Sequence, residues 1–548
     1  MNLSKLTIIP VCAALALSAS AQNGVAVHGS VQSDILFPQE DKALNTGSYD
    51  DKVLTNTYAD VGLYSKYVDA GLRVEFLEYP LPGYDADFKG WGVPNIYVKG
   101  KYKGLELTAG DFYEQFGSGF ILRTYEERAL GIDNSIRGGR LKVNSLRGLR
   151  VTALGGVQRR YWDWSTKSVI AGADAEFDLN EYIKGLAARN ISWTVGASYV
   201  MKHEDDEDII VPGTNYKLNL PNTVNAFDAR TQFHRGGLNL LGEFAWKGQD
   251  PSYNNNYTYR HGNAVMVSAT YSKTGWSALL QAKRSEDMSY RSQRSMTGTS
   301  AFLNNMPAFS YQHTYALASL YPYATQAAPG EWAFQGAFAY TFKRKTALGG
   351  KYGTKLKLNV SYIRGLHHTN EESFNNSLFG TNGDHTSFFK TGELYYQDIN
   401  VMLDKKITSD FHVNFMYMNQ RYNKTVVEGE GGMINSNILV LEPKYKISKK
   451  LTLRGEFQYL FTKQDQKDWA YGLLELSVLP YVMVTVSDQW NCGSTKTHYY
   501  MFGVTGNYRH NRLMLSYGRT RAGLDCSGGV CRPVPATRGF RISYNYTF

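Results

Sequence analysis

The sequence predicts an all-β protein, a single closed antiparallel transmembrane β-barrel of about 24 strands (about 22–26) with short periplasmic turns and long outer loops. Three observations carry that expectation. Period-two alternation recurs along the chain, tight turns interleave with long connections, and the C-terminal strand has one aromatic and one polar face.

In the terminal strand Phe540, Ile542, Tyr544, Tyr546 and Phe548 alternate with Arg541, Ser543, Asn545 and Thr547. Such a strand suits a sheet lying between lipid and water. Its terminal Phe resembles the assembly signal of bacterial outer-membrane barrels, which makes the barrel-assembly machinery an expected partner. At the other end, Lys5, an apolar run over 6–17 and Ala19-Ser20-Ala21 read as a signal peptide, residues 1–21, cleaved after Ala21. Cys12 sits inside that run behind Ile9-Pro10-Val11, which lacks the small residue a lipidated Cys wants, so a lipoprotein is set aside. Residues 22–548 then form one barrel domain in the outer membrane of a Gram-negative cell.

Individual strands show the pattern. Leu451, Leu453, Gly455, Phe457, Tyr459 and Phe461 share one face against Thr452, Arg454, Glu456 and Gln458. Leu238, Leu240, Gly242, Phe244 and Trp246 oppose Asn239, Glu243 and Lys247; Leu356, Leu358, Val360 and Tyr362 oppose Lys357, Asn359 and Ser361. The charged faces belong in a wet lumen, because a charge on the lipid side costs about 2–4 kcal/mol at the midplane. Tight links at 66–69, 102–104, 235–237, 273–275, 448–450 and 509–511 mark the periplasmic side, and strand parity returns both termini there.

Composition agrees. With 40 Tyr, 26 Phe, 9 Trp and 52 Gly but only 15 Pro, and with no spanning apolar run beyond the signal, the chain is not a helical membrane protein. Strand length and the terminal Phe argue against a secreted β-sandwich array. The net charge of +10 is scattered, which excludes a nucleic-acid interface and leaves anionic solutes, outer-membrane lipids and lipopolysaccharide as partners for a basic barrel.

Residues 114–140 break the alternation. They carry Gly117, Gly119, Gly131, Gly138 and Gly139 among Arg123, Arg128, Arg137 and Arg140. The stretch 124–131 reads as a short helix with Thr124 as N-cap and Gly131 at its end. The insert either folds inward as a constriction or packs outside on its neighbours. If the arginines project into the lumen they favour anions; Glu126, Glu127 and Asp133 can equally neutralise them and lock the insert in place.

The run from Gly110, GDFYEQFGSGFILRTYEERALGIDNSIRGGR, and the tail CSGGVCRPVPATRGF, Cys526 to Phe540, resemble stretches shared by an uncharacterised family of large outer-membrane proteins of Bacteroidota. The resemblance covers essentially the whole mature chain. It implies compartment and fold and supplies no catalytic residue.

Cys492, Cys526 and Cys531 follow the signal, an odd number for an oxidising compartment. The short Ser-Gly-Gly-Val spacer favours a Cys526–Cys531 disulfide over a bridge to Cys492. The acidic run 203–208 reads as a solvated loop tip or a divalent-cation site without a calcium-loop pattern. The aromatic-rich region 290–331 reads either as self-packing or as a platform for a surface protein or glycan. Gly117-Ser118-Gly119 is not a nucleophile elbow, and neither a phosphate-binding loop nor a His-Glu-x-x-His is present. We therefore expect a non-enzymatic barrel with no cofactor and no metal. A passive solute pore is the leading reading, since neither a plug domain nor an energy-coupling box is evident before Val25; a scaffold for surface partners is the alternative.

Overall fold

Alternation in sequence becomes inside and outside in space. In the computed structural model, which describes residues 24–548 apart from 165–166, 299, 370–377 and 528–529, twenty-four antiparallel strands close into one barrel. The proposed signal peptide lies outside the described residues. The first strand, Ala26–Pro38, pairs with the second by a hairpin, and the pattern continues to Thr537–Thr547. That last strand returns to the first, with Ser30 opposite Thr547 and Pro38 opposite Gly539.

The strand Leu451–Phe461 shows why the wall forms. Leu453, Phe457 and Phe461 point outward and stay exposed, whereas Thr452, Glu456, Gln458 and Leu460 are buried toward the lumen. The same parity places Phe244 outside and Glu243 and Lys247 inside. Exposed apolar residues such as Val98, Leu107, Val267 and Leu280, the last 69% exposed, make an outward band that only lipid can cover. Tyr67, Tyr102, Tyr182, Tyr445, Tyr481 and Tyr508 ring one end of this band, exposed beside the short turns. An aromatic girdle is where amphipathic rings settle at a lipid–water boundary.

Both described termini and the tight turns share this end, at 65–67, 103–104, 236–237, 274–275 and 509–510. Two connections there are longer than expected. Residues 179–190 fold into a 3-10 turn, Leu179–Glu181, and a short helix, Lys184–Ala188, and 343–353 form an irregular link. At the opposite, loop end the chain makes its longest excursions, and the paired strands Thr354–His368 and Thr386–Lys406 run past the wall through several register shifts.

The seam packs closely at one glycine. Gly29 and Phe548 exchange main-chain hydrogen bonds of 3.1 and 3.0 Å, and the Phe548 ring lies over Gly29 where a Cβ would be 2.2 Å from its nearest carbon. Phe540, Ile542, Tyr544 and Tyr546 keep to the face opposite Arg541. Phe37 and Phe540 meet across the seam with ring centroids 6.1 Å apart.

The parity makes a direct prediction. Leu280→Arg, on the outward band, should lower folding stability by about 2–4 kcal/mol, while Gln281→Arg, one residue on and facing the lumen, should change it far less. Urea titration of the barrel refolded in lipid vesicles reads both.

Candidate functional site: a lumen filled by two loops

Two loop-end segments turn inward and meet. The larger, 287–330, leaves the strand Trp276–Glu286 and re-enters the wall at Glu331–Phe342. Met288, Tyr290, Leu303, Met306, Phe309, Leu317, Tyr321 and Tyr323 are buried in one cluster with lumen-facing wall residues Val200, Ala245, Met266, Met416, Ile438 and Leu460. The aromatics expected either to pack or to form an outer platform are thus inside the barrel. Pairs such as Tyr321–Tyr422 and Tyr323–Tyr396, with centroids 5.4 and 5.3 Å apart, carry the packing.

Three wall lysines hold this segment by its main chain. Lys202, Lys247 and Lys283 are fully buried on lumen-facing positions, and their ammonium groups donate to the carbonyls of Arg291, Ser289 and Pro307 at 2.9, 2.6 and 2.6 Å. Each charge also has an acid. Lys202 lies 2.8 Å from Asp250, Lys247 lies 3.8 Å from the same carboxylate, and Lys283 lies 2.9 Å from Glu331 with both side chains wholly buried. Glu331 accepts further bonds from Tyr323, Thr325 and the Gln326 N–H. On the far wall the Gln458 side chain accepts from the Leu317 N–H at 2.8 Å, Tyr315 donates to Glu442 at 2.7 Å, and His313 Nε2 is 2.6 Å from Asp398. The segment therefore spans the lumen from side to side.

The smaller segment, 113–135, lies against it. Phe116, Phe120, Ile121 and Leu122 join the same buried cluster, and the Arg123 N–H donates to Leu303 O at 2.7 Å. Asn304 Nδ2 donates to Phe120 O at 2.8 Å. Gly117-Ser118-Gly119 has a purpose that the sequence did not disclose. It wraps the carboxylate of Glu243, which accepts from the Ser118 N–H at 2.8 Å and from its hydroxyl at 2.5 Å. Gly117 has φ of +52°, and a Cβ there would sit 2.5 Å from that carboxylate, so only glycine fits.

The expected helix over 124–131 is absent. Glu126–Glu127 pairs with Ile132–Asp133 as a two-residue ribbon around a 3-10 turn, Arg128–Leu130. Glu127, not Thr124, caps that turn by accepting from the Ala129 N–H; Gly131 closes it at φ +65°. Thr124 instead accepts from the Glu114 N–H at 2.9 Å, because tertiary contacts decide where a short polar side chain turns.

The four expected arginines do not form a ring. Arg128 pairs with Asp60 at 2.8 Å and Glu126 at 2.6 Å and lies over the Tyr58 ring. Arg140 faces the lumen and meets Glu114 at 3.1 Å. Arg123 lies over the Tyr125 ring, 5.3 Å from its centroid, with no carboxylate in ion-pair distance among the described residues. Arg137 belongs to the wall strand Ile136–Leu146 on the same face as the exposed Leu141, so it points outward, 2.8 Å from Asp111 and stacked 3.5 Å over Trp164. The insert ends at residue 135, and the parity of the new strand carries Arg137 away from the lumen.

Sequence reasoning missed the network around Glu126. Arg73 reaches Asp60, Glu75, Glu126 and Asp133 at 2.9, 3.5, 2.8 and 3.0 Å, and Arg159 reaches Glu75 and Asp133 at 2.9 and 2.6 Å. Glu75, Glu126 and Asp133 come close enough together to resemble a cation site, but Arg73 and Arg159 already supply the positive charge. Burial raises the Glu126 carboxyl above its ordinary range, against the lowering pull of Arg73 and Arg128. The usable signal was a set of charged residues at the loop ends of lumen-facing rows, where water should have been the only neighbour.

Cys526 and Cys531 are bonded across a small ribbon, Gly523–Ser527 with Val530–Val534, and Cys492 is free. The ribbon closes over the insert, with Arg532 donating to Ala129 O at 2.8 Å and lying over the Tyr84 ring. In the acidic run, Lys217 bridges Asp206 and Asp208 at 2.7 and 2.6 Å, and its hydrogen bond holds the Asp206 carboxyl below the ordinary range. At the turn end the lumen is a vestibule, with Arg150 and Lys357 exposed and Arg454 among Glu442, Glu456 and Glu475.

With this geometry in view, the sequence profile of a family of unknown function, DUF6029, matches residues 1–548. The chain belongs to DUF6029. No curated protein matches it. Among solved structures, the P pilus usher PapC translocation pore aligns over 95% of this chain and 99% of its own at 9% identity and a TM-score of 0.43. Acinetobacter baumannii OccAB3 aligns over 96% and 99% at 9% identity and a TM-score of 0.36. A mutant of the Pseudomonas aeruginosa ferric enterobactin receptor, PfeA, aligns over 96% and 82% at 10% identity and a TM-score of 0.43.

The buried Lys283–Glu331 pair gives the test of the filling. Glu331→Gln leaves an uncompensated buried ammonium and should cost about 3–5 kcal/mol, whereas Lys283→Met combined with Glu331→Gln should cost less than Glu331→Gln alone. Loss of the compact band on unboiled gels, followed against temperature, measures both.

Proposed function

We propose that this DUF6029 member is an outer-membrane channel for small solutes, closed at rest by its own loops 113–135 and 287–330, with the turn end in the periplasm. The observation that carries the reading is the polar, charged inner wall of a wide barrel crossed by segments that remain continuous with it at both ends. A structural core would need no vestibule. Transport here is passive, and no catalytic chemistry is assigned. The same reading includes a Gram-negative host, of the Bacteroidota type that the sequence resembles, removal of residues 1–21 after Ala21, recognition of the Phe540–Phe548 strand by the assembly machinery, and lipopolysaccharide around the loop end.

One observation favours a second role. Phe388 and Phe389 stand on the strand that runs beyond the wall, and Phe389 is 86% exposed, the kind of contact a surface protein or glycan would cover. In that reading the barrel is a scaffold and its lumen stays shut.

Planar-bilayer recording separates the two. The intact barrel should conduct little; replacing 290–326 by a short Gly/Ser linker should open large, stable steps, and replacing 116–134 should open smaller ones. Folded deletions that never conduct would overturn the channel. In the shorter deletion's background the reversal potential should shift little on Arg137→Ala, because that side chain faces away from the path.

A further inference from the structure

Between the 287–330 segment and the disulfide ribbon lies a polar cavity of about 280 Å³, just below the about 300–1,000 Å³ usual for drug-sized ligands. Its walls include Tyr311, Gln312, His313, Tyr396, Arg521 and Asp525. One of these groups lacks a hydrogen-bond partner, and a second has no carboxylate in ion-pair distance among the described residues.

His313 is the first. Its Nε2 is committed to Asp398 at 2.6 Å, the side chain is 3% exposed, and Nδ1 has no hydrogen-bond partner among the described residues. With Nε2 committed to the carboxylate, Nδ1 is left over, and a ligand hydroxyl, which can both donate and accept, would satisfy it. Tyr311 packs edge-on to this imidazole at 4.9 Å and Tyr396 stacks on Tyr323, which gives the cavity aromatic walls for the C–H face of a ring.

Arg521 is the second. Among the described residues its guanidinium donates only to main-chain carbonyls, Ala522 O at 3.0 Å and Leu320 O at 3.3 Å. Asp465 and Glu428 act on it only from a distance and are hydrogen-bonded elsewhere, Asp465 to the Tyr321 hydroxyl at 3.0 Å and Lys424 at 3.1 Å, Glu428 to the Tyr422 hydroxyl at 2.8 Å. Burial pushes the Arg521 guanidinium down from its ordinary range, the sign of a cation lacking a full counter-charge. Asp525 lies at the exposed side of the same cavity and limits how much negative charge the site accepts.

We infer that this cavity binds a small polyhydroxylated solute carrying one anionic group, a sugar acid or a sugar phosphate, with Arg521 on the anion and His313 Nδ1 on a hydroxyl. This extends the channel reading by naming a solute class, but it is tested by equilibrium binding, whose failure would leave conductance untouched. Isothermal titration of the folded barrel in detergent, with glucuronate, glucose 6-phosphate, glucose and inorganic phosphate as probes, decides it. Glucuronate or glucose 6-phosphate should bind saturably at one site, and the tighter of the two tells carboxylate from phosphate. Glucose and inorganic phosphate should each bind at least tenfold more weakly. Arg521→Gln should weaken the better sugar anion at least tenfold and leave glucose unchanged, with the compact gel band confirming the fold; Gln312→Ala, remote from the charge, should weaken both sugars. Saturable binding of none of the probes, inorganic phosphate binding as tightly as the sugar anions, or indifference to both substitutions would overturn the assignment.

Discussion

Everything in this molecule depends on the pairing of its first and last strands. In lipid an unpaired N–H or C=O has no water to turn to, so an open sheet edge is excluded and the wall must close on itself. The chain meets that demand where Ser30–Pro38 runs antiparallel to 539–547, and it does so at a seam fixed by Phe548 over Gly29. Once the seam is set, side-chain parity is set around the whole circumference. A slip of one residue would turn Arg454 and Glu456 into the membrane and Leu453 and Phe457 into the lumen.

Closure creates a wide polar space, and the protein fills its loop end with its own chain. The filling is apolar at its centre, with Phe116, Phe120, Leu317 and Tyr290 against one another, and ionic at its margins. That division follows from the wall. Lumen-facing positions mix apolar residues such as Met266 and Leu460 with charged ones, so a segment that enters must also bring main-chain carbonyls to Lys202, Lys247 and Lys283, or carboxylates to Arg73 and Arg159. Specificity of placement comes from these directional contacts, because apolar packing alone would tolerate several arrangements.

The strands were legible because a period of two is a local property. Leu238–Lys247 and Leu451–Phe461 declare their faces within ten or eleven residues, and tight turns such as 236–237 fix which ends belong together. The filling was not. Its contacts join residues far apart, Asn304 to Phe120 and Leu317 to Gln458, and a single sequence carries no mark of such pairs. The helix expected at 124–131 failed for a different reason: a fitting cap and Gly stop were outweighed by a local ribbon, Glu126–Glu127 with Ile132–Asp133. Arg137 was misplaced because alternation, lost through the insert, resumes at Ile136 with a phase that only the neighbouring strand determines. The disulfide, a matter of short loop closure, needed no distant information and was readable.

The filled lumen also dictates an order of events during assembly. The bonds that the 311–317 stretch and Tyr321 make to the far wall reach strands that are made after the segment, at Ser361, Asp398, Gln420, Glu442 and Gln458. Until those strands exist, the stretch around Leu317 and Tyr321 lacks the wall residues that hold it and is as sticky as any nascent core. Placement of this half of the filling thus waits on the C-terminal part of the wall, whereas residues 289–307 meet lysines on strands already made.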